Sequence, residues 1–312
     1  MIITLNMIKE NPFYKVCKKL QMIFERFTSK NNFKKVGRPK KYSDLQIIQC
    51  LIYKVMNKIY CLRELEWALS NDALASTIIG LKDIPDHSTL SIRIRQIEKS
   101  LFYKIYRIFV LLLKPELRVC SIDSTPLRSS KFDSQAKKGK STRLGWYKGY
   151  KLHLISSSDS IPIAFNFTTA NVYDSNCKDL INELGDYDIF ILLGDAAYDS
   201  IKLFKLCDKL AINLLTDINI RKGKSLNSIK NEYRIKNMLF LTSPIGEKIY
   251  RKRITIERLF AVLKQRYNLE NPRLYGFNRY KSHVMWTLLV YLIEKLIDQE
   301  KGIDSLKFPW NK

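Results

Sequence analysis

The chain has 312 residues, of which 46% are hydrophobic, enough for a substantial core and too apolar for a disordered tail. Lysine and arginine total 54 against 30 aspartates and glutamates, and the resulting +24 self-repels unless a polyanion, most commonly nucleic acid, binds it. Six scattered cysteines without a CxxC pair, three histidines far apart, no long apolar stretch at the start and apolar runs too short for a bilayer argue against a disulfide frame, a zinc cluster, a secretory leader and a membrane partner. They point instead to a soluble cytoplasmic protein.

Residues 1–115 read as an all-helical region. "SDLQIIQCLIYKVMNK" (43–58) sets Leu45, Ile48, Leu51, Ile52 and Val55 at helical spacing behind Ser43, a natural N-cap. "CLRELEWALS" (61–70), "PDHSTLSIRIRQIEK" (85–99) and "SLFYKIYRIFVLLLK" (100–114) continue the pattern as far as Pro115. Short helices joined by tight turns, one of them carrying Arg93 and Arg95, suit a helix-turn-helix-like DNA-binding region, or a generic helical domain with a solvated charged face. The basic turn "KKVGRPKK" (34–41) fits either a phosphate clip or a linker.

Beyond Pro115 the pattern turns to strands. "LRVCSIDST" (117–125) is β-branched and apolar; residues 128–142 read as a polar Lys/Ser/Gly loop. "WYKGYKLHLISS" (146–157) alternates, with Lys148, Lys151 and His153 among its polar positions, and "IPIAFNFTTA" (161–170) is the next strand. A helix over 174–184 capped by Asp174, a buried strand in 187–199, a helix at 199–210 and a strand at 211–218 follow. Residues 219–249 read as irregular, and two helices close the chain at 250–264 and 280–299. The order predicts an α/β layer with a mixed sheet and flanking helices.

Two acids stand at strand ends. Asp123 follows an apolar strand, where an isolated carboxylate is costly unless it is paired or binds a cation. Asp195 follows Gly194 at the carboxyl end of "IFILLG", where open α/β sheets carry ligands. Each could instead cap a turn.

"YRKRITIERLFAVLK" (250–264) sets a lone Glu257 among cations. At about 100° per residue, Tyr250, Arg253, Glu257 and Lys264 fall within roughly 60° of one another, beside an apolar stripe of Ile256, Leu259, Phe260 and Leu263. Arg251, Arg258 and Gln265 fall on the far side. Arg253 and Glu257 also form an i,i+4 pair, which accounts for Arg253 but not for Tyr250 or Lys264.

The spacing Tyr250-x2-Arg253-x3-Glu257-x6-Lys264 resembles the YREK signature of insertion-sequence DDE transposases. "SIDST", "GYKLHLI", "TTANVYDS" and "GDAAYDS" resemble, in order, that family's first-aspartate strand, second and third strands, and second-aspartate turn. Ala197 stands where the family often has glycine, and the Asp195-to-Glu257 interval leaves little room for the large β-rich insertion of some members. The resemblance covers about residues 115–290. It implies an RNase H-like catalytic domain (116–300) after the helical region (1–115), with a tail at 301–312. It implies that Asp123, Asp195 and Glu257 hold two Mg²⁺ or Mn²⁺ ions for cleavage at insertion-sequence ends and strand transfer into target DNA. Tyr250, Arg253 and Lys264 would then hold phosphates, with Lys148, Lys151 and His153 as weaker contacts. The expected partners are double-stranded DNA, as terminal inverted repeats and target, and a second copy of the chain, in a prokaryotic, nucleoid-associated setting. A DNA-binding protein without nuclease activity, or an RNase H-like nuclease without strand transfer, are the rival readings.

Overall fold

The structure, a computed structural model, describes residues 3–28, 40–97, 99–220, 225–226, 229–271 and 273–303. All but the last two residues of the "KKVGRPKK" turn, and most of the 301–312 tail, lie outside these. The chain forms two compact units, one of residues 1–113, 263–274 and 278–312, the other of residues 114–262 and 275–277. One division falls between residues 113 and 114, and most of the closing helix groups with the unit of the N-terminal helices.

That unit contains α1 (Leu5–Glu10), α2 (Pro12–Thr28), α3 (Asp44–Met56), α4 (Leu62–Asn71), α5 (Ala73–Ile79), α6 (His87–Gln96) and α7 (Lys99–Leu113). Ser43 caps α3 in a reciprocal capping box with Gln46, satisfying two otherwise orphaned N–H groups. Leu20, Ile47, Ile48, Ile52, Leu65 and Leu69 are fully buried, the outcome of the helical periodicity read above. All six cysteines are free, and Cys61 alone is exposed.

The other unit is built on a six-stranded mixed sheet: β1 (Val119–Arg128), β2 (Lys137–Ser141), β3 (Gly145–Ser157), β4 (Pro162–Thr169), β5 (Ile191–Gly194) and β6 (Asn213–Thr216). β3 lies antiparallel to both β1 and β4, whereas β1–β5 and β5–β6 are parallel. The core strands thus run in the order β4-β3-β1-β5-β6, the mixed α/β sheet expected. Residues alternate between its faces. Cys120, Ile122 and Leu192 point into a core with Leu180, Ile181, Leu203 and Phe204. Ile191, Leu193 and Leu215 form a smaller apolar cluster on the other face, with Val119 and Tyr250.

Four local readings are corrected. The 128–142 "loop" contains β2, whose lysine-rich sequence hides it because only Gly139 of this strand is buried. The 174–184 helix shrinks to α8 (Lys178–Asn182) and a 3₁₀ turn, with Cys177 and not Asp174 at its N-cap. After α9 (Ile201–Lys209), the irregular 219–249 stretch holds α10 (Glu232–Leu241) and α11 (Pro244–Tyr250), each begun by a side-chain cap, Asn231 and Ser243. Finally, the opening helix is broken: α11 ends at Tyr250, Arg251–Arg253 form a 3₁₀ turn, and α12 (Ile254–Tyr267) carries Glu257. α13 (Phe277–Glu300) ends the described chain. No described helix is long and apolar enough to cross a membrane.

Candidate active site

Asp123 lies in the middle of β1 and not at its end, because that strand continues to Arg128, and it and Asp195, just past the end of β5, come together because of strand register. β1 and β5 pair Val119 with Ile191 and Ser121 with Leu193, so continuing the ladder two places sets Asp123 beside Asp195. Parallel neighbours lie about 4.8 Å apart, and both side chains fall on the sheet face of Val119 and Leu193. The electrostatics agree. Burial, with the Asp195 charge second, raises the Asp123 carboxyl to about 7. Asp195 is also raised, by burial first, while the N–H of Ala197 counters by donating to its Oδ1 at 2.9 Å. Gly194 fits closely at this turn, since a Cβ there would stand 3.0 Å from the Tyr198 side chain and Tyr198 would have to give by a few tenths of an ångström.

Arg253 supplies positive charge to both aspartates, yet its nearest partner is Glu257, with Nη2 2.7 Å from Oε1. Glu257 is half exposed, at 49% of its side-chain area. Among the described residues no three acids, histidines or cysteines gather closely enough to hold an ion. Asp123 and Asp195 by themselves fit a divalent cation, as hard oxygen donors whose mutual repulsion a cation relieves. Glu257, ion-paired to Arg253, forms no such cluster with them.

Tyr250 stays beside Arg253 despite the break in the helix, with the guanidinium 6.0 Å from its ring centroid. Its hydroxyl donates to the Gly194 carbonyl at 2.8 Å and accepts from the Asp217 N–H at 3.2 Å, tying α11 to the Asp195 turn. Lys264 is half-buried two turns beyond Glu257, while Arg251, Arg258 and Gln265 are exposed as expected of the far side. Lys148 is half-buried and donates to the Lys131 carbonyl. In the other unit Arg93 is buried and donates to the Tyr42 carbonyl and Asp44, whereas Arg95 is exposed.

Lys151 and His153 are buried, at 8% and 2% exposure, and belong to a network around Asp174. Asp174 Oδ1 accepts from Ser124 Oγ at 2.6 Å and from Lys151 Nζ at 3.0 Å, and lies 3.7 Å from His153 Nδ1. Lys151 also donates to the Val172 carbonyl, and His153 Nε2 lies 2.9 Å from Thr168 Oγ1. Burial pushes the His153 imidazole down to about 4, so it is neutral. The sequence reading missed Asp174 and Ser124 as parts of the site's support. Their signal was the position of Asp174 in "TTANVYDS", which a helix-cap reading absorbed. Asp217 was missed too, although it follows β6 as Asp195 follows β5.

A mixed sheet that brings carboxylates of adjacent strands together, within reach of the charge of a helix-flanking arginine, fits a class: enzymes of phosphodiester chemistry. The chain belongs to the Transposase DDE domain family, whose match spans residues 114–293, and a second match, Transposase domain (DUF772), spans residues 5–96. It is a DNA transposase, of a family whose chemistry uses divalent metal ions. An uncharacterized protein of Aquifex aeolicus (strain VF5) is 24% identical over 282 residues, covering 84% of this chain and 80% of its own length. Among solved structures, a piggyBac transposase synaptic complex with hairpin DNA is similar with a TM-score of 0.47 and 10% identity, over 93% of this chain and 73% of that one.

Proposed function

We propose that the chain is a cut-and-paste transposase that cleaves at insertion-sequence ends and joins the freed 3′ ends to target DNA, with Asp123, Asp195 and Glu257 holding two Mg²⁺ or Mn²⁺ ions. The observation that carries this is the register-paired Asp123 and Asp195, both raised by burial and Asp123 further by the charge of Asp195, next to an Arg253–Glu257 pair. Bound divalent ions lower the pKa of the attacking water or 3′-hydroxyl and neutralise charge on the leaving oxygen.

The chain's own part is binding and placement. Asp123, whose carboxyl burial raises to about 7, would give up its proton when ions are held. Glu257 would join the aspartates in holding them, leaving the forked Arg253 guanidinium to hold a phosphate beside the scissile bond. Lys264 serves a flanking phosphate as a point charge. Tyr250 fixes the Asp195 turn through the Gly194 carbonyl, and Asp174 fixes the Asp123 strand through Ser124. Arg95, with Arg93 as its buried anchor, belongs to a DNA-binding face of the helical region, and two copies of the chain act on paired ends. Among the described residues between β6 and α12 there are α10, α11 and 3₁₀ turns but no strand, which fits a member without the large β-rich insertion.

The test incubates purified protein with Mg²⁺ and DNA carrying the sequence that borders its gene, plus a supplied 3′-hydroxyl end. Joined products are expected. Cleavage without joining would assign a nuclease instead, and cleavage that persists in folded Asp123→Asn or Asp195→Asn protein would sink the active-site assignment.

A further inference from the structure

We infer that the β2–β3 ribbon, residues 128–148, is a second DNA-contact surface, which grips the strand flanking the cut with lysines and stacks Trp146 on an unpaired or unstacked base. This rests on the proposed DNA-end activity and adds to it a site remote from the carboxylates.

The ribbon is basic on one side by construction. Its register pairs Lys138 with Lys148 and Lys140 with Trp146, and period-two alternation puts these four on one face. The opposite face carries Gly139 against buried Tyr147. Like charges directly across a ladder are destabilising, so the Lys138–Lys148 pairing is a cost that a polyanion on that face relieves. The only acid between Arg128 and Lys148 is Asp133, and it is buried, accepting from Ser129 Oγ, the Tyr150 hydroxyl and the Gly276 N–H. Asp133 therefore anchors the base of the ribbon and leaves its exposed lysines without a neighbouring carboxylate in this segment.

Aromatic side chains are interleaved with this charge. Trp146 is 74% exposed and Phe132 is 83% exposed, a poor arrangement for surfaces facing water alone. Lys140 Nζ lies 6.0 Å from the Trp146 ring and Lys131 Nζ 5.1 Å from the Phe132 ring. Lys148 joins the two groups by donating to the Lys131 carbonyl at 2.8 Å. Cations flanking exposed aromatic faces are what single-stranded or distorted nucleic acid binds, phosphate to lysine and base to ring. The ribbon is also preformed, since Ser141 Oγ accepts the Leu144 N–H and Gly145 takes a positive φ of 63° at the turn.

Its place relative to the cut follows from β3. Leu154 stands opposite Asp123, and Trp146 is earlier on the same strand. Eight residues at about 3.3 Å each separate them by roughly 26 Å, or about eight base pairs of duplex.

The experiment compares the full chain with Lys138→Ala/Lys140→Ala and Trp146→Ala variants, all checked by thermal melting, on duplex DNA bordering the gene with a short single-stranded overhang. Affinity is measured across a salt series. Removing two lysines should lower the slope of log affinity against log salt by about 1.8. Trp146→Ala should weaken binding about tenfold while leaving that slope unchanged. Photo-crosslinking of halogenated bases should place Trp146 within about eight base pairs of the cut. If the wild type binds with an unchanged slope and affinity in both variants, the ribbon is a solvated face and the inference falls. A wild type that binds no DNA overturns the ribbon and the proposed function together. If the ribbon variants lose affinity while Asp123→Asn still cleaves, the active-site reading fails and the ribbon stands.

Discussion

The strand-borne aspartates and the helix-borne glutamate of the candidate site are held in opposite ways. Asp123 and Asp195 are set by a parallel ladder, partly desolvated, and each keeps a backbone N–H on one carboxylate oxygen. Glu257 stands on a helix entered through a 3₁₀ turn, half exposed and ion-paired to Arg253. The difference separates two kinds of preparation. The sheet fixes two carboxylates whose repulsion favours a cation, while the helix holds the third acid of the proposed set in an ion pair with its own arginine.

The strongest way to break this comparison is to remove each acid in turn. Asp123→Asn, Asp195→Asn and Glu257→Gln should each lower cleavage at least about a thousandfold, roughly 4 kcal/mol of transition-state stabilisation, in a gel assay with Mg²⁺. Equal losses from all three show that the exposed glutamate does join the aspartates in the working site. Activity retained by Glu257→Gln alone would leave the Arg253 pair as an ordinary helix ion pair.

Stability should separate them where activity does not. Asp174→Ala strands the buried Lys151 ammonium behind Asp123, and chemical denaturation should show a loss of about 3 kcal/mol. Glu257→Gln, which breaks only a half-exposed pair, should shift stability by no more than about 0.5 kcal/mol.

The pH dependence lies between these. A carboxyl raised in the folded state stabilises that state while protonated, so the Asp123 contribution is complete below about pH 4 and is lost as pH rises through about 7. Ion-free wild type should therefore lose about 2 kcal/mol relative to Asp123→Asn between about pH 5 and pH 8, a difference readable in paired denaturation curves. Apparent Mg²⁺ affinity should rise about tenfold per pH unit below about pH 7 and level off above it, as the ion displaces one proton. A flat profile would mean that the two aspartates do not share that charge.

Most of the architecture was legible in the sequence wherever burial imposes a period. The α3 stripe, the alternation in β3 and the apolar run of β5 all announce their elements, although burial in the structure is continuous from Ile47 to Val55 and from Gly149 to Ser157 and so exceeds the one face that each of the first two patterns names. Elements without such a face were missed. β2 is lysine-rich and half exposed, and α10 and α11 bury only Asn237 and Gly246 among their described residues. Asp123, Asp195 and Glu257 are proposed on residue type and spacing, and the structure adds that the two aspartates lie on neighbouring strands. The assignment of Lys151 and His153 as phosphate contacts has to compete with their burial around Asp174, since alternation names a face but not what covers it.

By itself the sequence determined the basic character of the chain, the helical first region, the strand-rich second and the i,i+4 pairing of Arg253 with Glu257, because charge, period and turn chemistry are local properties. Only the tertiary structure decided that β1 and β5 are neighbours in register and that Tyr250 turns to Gly194. It alone showed that Lys138 faces Lys148 on an exposed ribbon. Each of these depends on which distant segments pair, and pairing is settled by the packing of whole faces, not by the residues that end up adjacent.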